Sequence, residues 1–237
     1  MLNREMTVGA ARPRTVIWPV WSKSRWLYSR PMDVGQVAIA AAVIVVAYLI
    51  GGIPWGVVIA RLTGGPDPRT IGSGRTGGAN VLRALGPRAA AASGLLDVAK
   101  GMVAVLVAII AGGGLPLEIG AAVAAIVGHS RSPFIGFSGG RGIAPGFGGL
   151  LMIYPAAALV TIPVFAIVLI VSHYSSLASL TATALSAIAI VVMVIAFDQS
   201  RLYVVYALAA GGMIWLFHLD NIQRLLTGSE RRIEWRR

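Results

Sequence analysis

Residues 37–60 read VAIAAAVIVVAYLIGGIPWGVVIA, and this stretch decides the fold. It contains no charged residue, and it exceeds the about 20 apolar residues that a helix needs to cross a bilayer. Because lipid offers no hydrogen-bond partners, a segment that crosses it must satisfy its own backbone groups. The stretch therefore predicts a transmembrane α-helix.

The remainder of the chain has a similar composition. Of its 237 residues, 57% are hydrophobic and 12% are charged, whereas about a quarter are charged in soluble domains. The apolar runs are continuous, which disfavours the alternating pattern of a β-barrel. We predict an all-α integral membrane protein with about seven transmembrane helices, at residues 36–60, 90–112, 115–128, 141–154, 157–172, 177–196 and 202–217.

Three regions follow from this pattern. Residues 1–35 form a basic N-terminal tail, predicted to be disordered or to lie at the membrane interface, and Met32 is an alternative translation start. Residues 36–230 form the seven-span domain, and 231–237 form a basic C-terminal tail. The chain has no cysteine, which excludes disulfides, thiolate catalysis and cysteine-based metal sites.

The charge balance predicts the orientation. A net charge of +11 would suggest nucleic acid as the partner of a soluble protein. In a membrane protein it indicates basic cytoplasmic loops and anionic lipid or phosphate ligands, and we expect no nucleic-acid partner. Counted outside the predicted spans, one side carries twelve Lys and Arg residues and the other seven. The richer side comprises 61–89, 129–141 and 218–237, and we predict that it is cytoplasmic.

Two loops on that side are rich in glycine and arginine. Four glycines between residues 72 and 78 let the backbone N–H groups of the first loop converge on a phosphate, with nearby polar side chains completing the site. The third loop repeats this character around Arg141, next to His129. The alternatives are a flexible connection for the first loop and a structural interfacial histidine for the third.

Three further polar segments accompany these loops. Asp97 and Lys100 lie three residues apart, on one face of the second span, and form either a structural ion pair or a support beneath the loop site. Residues 173–179 carry hydroxyls that could cap a helix, and residues 218–226 could form an amphipathic surface helix. In a seven-span model four of the five polar segments meet at one face, and the Asp97–Lys100 pair approaches it from within the second span, which indicates a single composite site.

The five segments, in this order, resemble the bacterial acyl-phosphate:glycerol-3-phosphate acyltransferases. The resemblance covers about residues 40–230, and five motifs occur in the family's order. The matching positions are Ser73, Gly74, Asn80, Val81, Arg83, Asp97, Lys100, Gly101, Gly128, His129, Gly139, Gly140, Arg141, Gly142, Tyr174, Ser176, Leu177, Ser179, His218, Asn221, Ile222, Arg224, Leu225, Leu226, Gly228 and Glu230.

The resemblance implies transfer of a fatty acyl group from acyl phosphate to the 1-hydroxyl of glycerol 3-phosphate, at the cytoplasmic face of the bacterial inner membrane. It implies no cofactor and no metal, with membrane lipids as surroundings and the acyl-phosphate-forming enzyme as a candidate partner. The implied catalytic residues are Ser73, Asn80, Arg83, His129 and His218. The implied substrate-binding residues are Gly72, Gly74, Arg75, Gly77, Gly139, Gly140, Arg141, Ser176, Ser179 and Asn221.

This chain departs from the family pattern at several positions. Arg75 and Ala79 stand where the family has Asn and Thr, and Ser138, Arg141 and Pro145 replace Lys, Lys and Thr. We hypothesise that Arg75 and Arg141 together replace the charge lost at Ser138. A diverged homologue, inactive or with another acceptor, and a small anion transporter are the alternative functions. The His-x4-Asp pair of many thioester-dependent acyltransferases is absent, which disfavours acyl-CoA as the donor.

Overall fold

The computed structural model describes residues 33–233. Most of the predicted N-terminal tail, and residues 234–237 of the C-terminal one, lie outside this range. Within residues 33–233 the chain forms ten α-helices and two short 3-10 turns, with no strand. The helices are α1 (Val34–Gly52), α2 (Trp55–Thr63), α3 (Gly78–Leu85), α4 (Pro87–Ile110), α5 (Gly114–Ser130), α6 (Ile143–Ile153), α7 (Pro155–Ser172), α8 (Ser175–Ala196), α9 (Leu202–Leu216) and α10 (Leu219–Leu226).

Each of the seven predicted apolar segments contains a helix, and the all-α membrane fold is confirmed. Four helices in the described part of the chain, α1, α4, α7 and α8, are long and apolar enough to span a membrane. A fifth span is possible if α9 and α10, which meet at a 63° bend, count as one. Helices α5 and α6 have 17 and 11 residues, so seven spans remain a prediction.

The first predicted segment is wrong as a single helix. Asp33 caps the start of α1, because its carboxylate accepts a hydrogen bond from the backbone N–H of Gln36. The helix ends at Gly52. Pro54 has no backbone N–H and separates α1 from α2. The apolar run continues through the break, so hydropathy alone could not reveal it.

Glycines let the helices approach closely. A Cβ atom at Gly51 would overlap the backbone of Ala125, and one at Gly128 would overlap that of Tyr48, so α1 and α5 are in backbone contact. The same applies to α4 and α6, where Gly101 meets Pro145 and Gly148 meets Val98. Small residues that allow such close approach are typical of packed membrane helices.

Candidate active site

Asn80 organises the first loop. Its amide nitrogen lies 2.9 Å from the carbonyl oxygens of Ile71 and Arg75 and 3.1 Å from Ser73 Oγ. Its side-chain oxygen accepts from Arg83 Nη1 at 3.0 Å. Gly72 has a positive φ of 61°, and a side chain there would overlap the Asn80 oxygen. The buried Asn80 amide therefore fixes the loop's conformation, because it supplies the hydrogen bonds that the loop carbonyls would otherwise take from backbone N–H groups.

Lys100 lies at the centre of a buried polar cluster between helices. Its ammonium has three N–H groups, and three acceptors surround Nζ: Asp97 Oδ1 at 2.7 Å, Ile53 O at 2.7 Å and His129 Nδ1 at 2.9 Å. The Ile53 carbonyl is available because it follows the end of α1 at the break before α2. The break missed by hydropathy thus supplies one ligand of the lysine.

This contact sets the tautomer of His129. An ammonium cannot accept a hydrogen bond, so Nδ1 is the acceptor and the ring proton of neutral His129 is on Nε2. Gly140 packs directly on the ring, and Gly139 packs on the His129 backbone, so side chains at either position would displace the histidine. The two glycines were predicted to bind substrate, and the structure instead gives them contacts that hold His129.

His218 has the opposite tautomer. Its Nδ1 lies 2.8 Å from the backbone oxygen of Ile214, which can only accept, so Nδ1 carries the proton. Nε2 is then an unprotonated acceptor. The two predicted catalytic histidines therefore carry their protons on different ring nitrogens.

Arg141 is held by the C-terminal helix α10. Arg141 Nη2 donates to Asp220 Oδ2 at 2.8 Å, and Arg224 Nη2 donates to the same oxygen at 3.2 Å. Partial burial would raise the pKa of Asp220, but the hydrogen bonds and charges of the two arginines outweigh it and lower that pKa. The carboxylate therefore stays ionised and opposes the positive charge of the site.

Glu230 binds three side chains from two helices. Its Oε1 accepts from Ser176 at 2.9 Å and from Asn221 at 2.7 Å, and its Oε2 accepts from Arg224 Nε at 2.8 Å. Ser176 and Asn221 were predicted to bind substrate, and their donors are partly committed to this glutamate. The role of Glu230 depends on contacts as distant as 54 residues along the chain, which motif spacing does not display.

The described residues of the predicted basic C-terminal tail, 231–233, pack on the domain. Ile233 is buried, and its backbone N–H donates to His173 O at 2.7 Å. The Arg232 guanidinium lies 5.3 Å from the ring centroid of Tyr174, and its backbone oxygen accepts from Arg83 Nη2. Residues 230–233 thus fasten the α7–α8 turn to the first loop.

These elements surround a cavity of about 440 Å³. Ten of the predicted site residues line it: Ser73, Arg75, Gly77, Asn80, His129, Arg141, Ser176, Ser179, His218 and Asn221. The first turn of α3, residues 77–79, also lines it, and a helix N-terminus favours anions. The convergence predicted for the polar loops is therefore present in the structure.

Five predicted residues are not among the residues that line the cavity: Gly72, Gly74, Arg83, Gly139 and Gly140. Gly72 and Arg83 contact Asn80, and Gly139 and Gly140 contact His129, so these four hold residues that do line the cavity. Arg75 and Arg141 both line the cavity, whereas Ser138 is exposed and does not. Within residues 33–233, no three His, Asp or Glu side chains are grouped so that they could hold a metal ion.

A second cavity, of about 400 Å³, adjoins the first and is almost entirely apolar. Gly94, Ile143, Ala144, Phe165 and Ser179 line both cavities, so the two share a boundary. Beyond it, the apolar cavity extends between α6, α7, α8 and α9. A cavity lined by arginines that adjoins an apolar cavity is typical of an integral membrane protein with an amphiphilic anionic ligand.

Comparison with known proteins assigns the family. The family model described as glycerol-3-phosphate acyltransferase matches residues 41–228. A glycerol-3-phosphate acyltransferase of Thermus thermophilus is 40% identical over 190 residues, which cover 80% of this chain and 93% of the relative. That of Neisseria meningitidis serogroup B is 40% identical over 195 residues, covering 80% and 95%.

The crystal structure of PlsY, an integral membrane glycerol 3-phosphate acyltransferase, in its glycerol 3-phosphate form agrees with this fold. It has a TM-score of 0.73 and 35% sequence identity, and the match covers 82% of this chain and 96% of that one. The lysophosphatidic acid form gives a TM-score of 0.72 at 34% identity. The chain belongs to the glycerol-3-phosphate acyltransferase family.

Proposed function

We propose that this protein transfers a fatty acyl group from acyl phosphate to the 1-hydroxyl of glycerol 3-phosphate, releasing 1-acylglycerol 3-phosphate and phosphate. The observation that carries the proposal is the shared boundary of the two cavities. One binds phosphate groups through Arg75, Arg141 and the α3 N-terminus, and the other accepts a hydrocarbon chain.

The wall of the apolar cavity suits such a chain. Five of its lining residues carry hydroxyls, and each hydroxyl has an acceptor within the protein. Ser179 donates to Ser175 O, Thr183 to Ser179 O and Tyr206 to Gly146 O. Thr161 and Ser186 lie 2.6 Å apart, so one donates to the other and the second proton goes to a backbone carbonyl, of Ala157 or Ala182. No donor of this group is left to attract a polar ligand. The wall therefore offers the chain surroundings as apolar as the lipid that it leaves.

The reaction depends on how the two substrates are positioned, and it does not require a nucleophile from the protein. The acceptor hydroxyl oxygen bonds to the acyl carbon, the bond from that carbon to the phosphate oxygen breaks, and the leaving phosphate can take the hydroxyl proton. His218 Nε2 is an acceptor that can orient the attacking hydroxyl. His129 also lines the cavity, but Gly140 covers its Nε2 atom, so its part is to hold Lys100 beneath the site. Arg141 and Arg75 stabilise the negative charge.

The donor assay tests this proposal. Purified protein in lipid nanodiscs should form 1-acylglycerol 3-phosphate and release phosphate from acyl phosphate, and should form none from acyl-CoA. The chain has no cysteine and no His-x4-Asp pair for thioester chemistry. Transfer from acyl-CoA alone would overturn the donor assignment. Absence of transfer from either donor, in protein that still binds glycerol 3-phosphate, would support the inactive homologue.

Membrane orientation is also part of the proposal. We place the polar cavity at the cytoplasmic face of the bacterial inner membrane, because the first, third and C-terminal polar segments carry twelve of the Lys and Arg residues outside the predicted spans. Arg201 follows α8, whose first turns line the polar cavity, so it lies toward the opposite end.

Cysteine labelling checks the orientation, since the natural chain has no background thiol. An impermeant maleimide added to intact cells should label Arg201→Cys but should leave Arg75→Cys unlabelled until the membrane is opened. Labelling of both residues from outside, or the reverse pattern, would refute the cytoplasmic placement of the cavity.

A further inference from the structure

At its lower end, which is the end farther from the polar cavity, the apolar cavity is bounded by residues at the same depth on four helices. Helices α6 and α8 run away from the polar cavity, because only their first residues line it, whereas α7 and α9 run toward it. The last lining residues on α6 and α8 are Leu150 and Ile190. The first on α7 and α9 are Thr161 and Tyr206.

This lower end is solidly packed. Ile190 is 2% exposed and Leu150 is 7% exposed, and both belong to the main apolar core with Ile153 and Val194 below them. Thr161 Oγ1 and Ser186 Oγ are 2.6 Å apart, which joins α7 to α8 just above the floor. A chain that continues along the helices past Ile190 would therefore have to displace core side chains.

The depth matches one leaflet of a bilayer. Along α8 the lining runs from Ser179, at the shared boundary, to Ile190. Eleven residues at 1.5 Å each give about 16 Å, and half of a hydrocarbon core of about 30 Å is about 15 Å. The cavity thus accommodates a chain of the length found in membrane phospholipids.

We infer that Ile190 and Leu150 set the acyl-chain length that this protein transfers, acting as the floor of a molecular ruler. The inference rests on the proposed acyl transfer and adds its specificity. Because the chain enters from lipid, which is as apolar as the cavity, chains up to this limit should react with similar kcat/KM. Chains longer than the one that reaches Ile190 should react more slowly.

Two sets of variants move the limit in opposite directions. Ile190→Ala deepens the cavity and should let chains about two methylenes longer react as fast as the best substrates of the natural protein. Ile190→Val removes only one methylene, so it deepens the cavity less and costs less stability. Gly211→Leu fills the middle, because a Cβ atom there meets only Thr183, at 3.5 Å, and should slow long chains while leaving short ones unchanged.

Neighbouring residues that do not line the cavity provide matched controls. Ile188 is 57% exposed on the outer face of α8, and a Cβ atom at Gly212 meets nothing within 4 Å. Ile188→Ala and Gly212→Leu should keep the natural chain-length profile.

The experiment measures kcat/KM in nanodiscs for saturated acyl phosphates in two-carbon steps, with glycerol 3-phosphate as acceptor. A profile that lengthens in Ile190→Ala and shortens in Gly211→Leu, but not in the controls, supports the ruler. Active variants with an unchanged profile would overturn it while the proposed function stands. A natural protein that transfers no acyl chain of any length would instead count against the proposed function.

Discussion

Replacement of Arg141 by alanine is expected to lower kcat/KM for acyl transfer by about 30- to 1,000-fold. This corresponds to about 2–4 kcal/mol of transition-state stabilisation, the range for one ligand of a developing negative charge. Arg141 lines the polar cavity and is aimed by Asp220 from α10. Steady-state kinetics with acyl phosphate and glycerol 3-phosphate provide the measurement.

Two control variants test whether Arg141 acts as a direct phosphate ligand or only through its positive charge. Arg88 is exposed and does not line the cavity, so Arg88→Ala should change kcat/KM by less than about twofold. Arg141→Lys keeps the charge but loses the planar fork, and it should fall between the natural protein and Arg141→Ala. If Arg141→Ala were as active as Arg88→Ala, Arg141 would have no part in binding the phosphates.

The second large effect concerns stability. Lys100→Met should destabilise the protein by about 3–5 kcal/mol, because it leaves the buried Asp97 carboxylate without its ion-pair partner. For a chain of this size, that corresponds to a melting temperature roughly 6–20 °C lower. Thermal unfolding in detergent micelles, followed by intrinsic tryptophan fluorescence, provides the measurement.

A double variant shows whether the unpaired charge is the cause. Asp97→Asn combined with Lys100→Met removes both charges and should recover part of the lost melting temperature, because neighbours in one ion pair are not additive. Equal melting temperatures for Lys100→Met and the natural protein would show that the pair contributes no stability. A double variant less stable than either single variant would show that the two side chains act independently.

The membrane fold is predictable because its signal is local. Apolar runs such as 177–196 place α8 within two residues, since burial in lipid depends on composition over one helix. The break at Pro54 interrupts no apolar run, so hydropathy did not reveal it. Helix α5 is short and carries a buried glutamate, Glu118, so composition alone does not establish that it spans.

The site was predictable as a set of residues but less so as a set of roles. Glycines and arginines in loops reveal anion binding, and the cavity brings together Arg75, Arg141 and His129. Asn80 was assigned to catalysis, and its amide nitrogen also donates to two backbone carbonyls of the first loop, which sequence patterns do not show. Glu230 acts through contacts with α8 and α10, and Ile233 lines the cavity from what the sequence presents as a basic tail.

Because of the glycine contacts between α1 and α5, substitutions outside the substrate cavity can also inactivate the enzyme. Gly51 and Gly128 hold together the two helices that carry Ile53 O and His129, and Lys100 bridges these two groups. A side chain at either glycine would spread the helices and separate His129, which lines the substrate cavity, from Lys100 and Ile53, which do not line it. Loss-of-function alleles should therefore accumulate at positions that touch no ligand, and a screen confined to the cavity lining would overlook them.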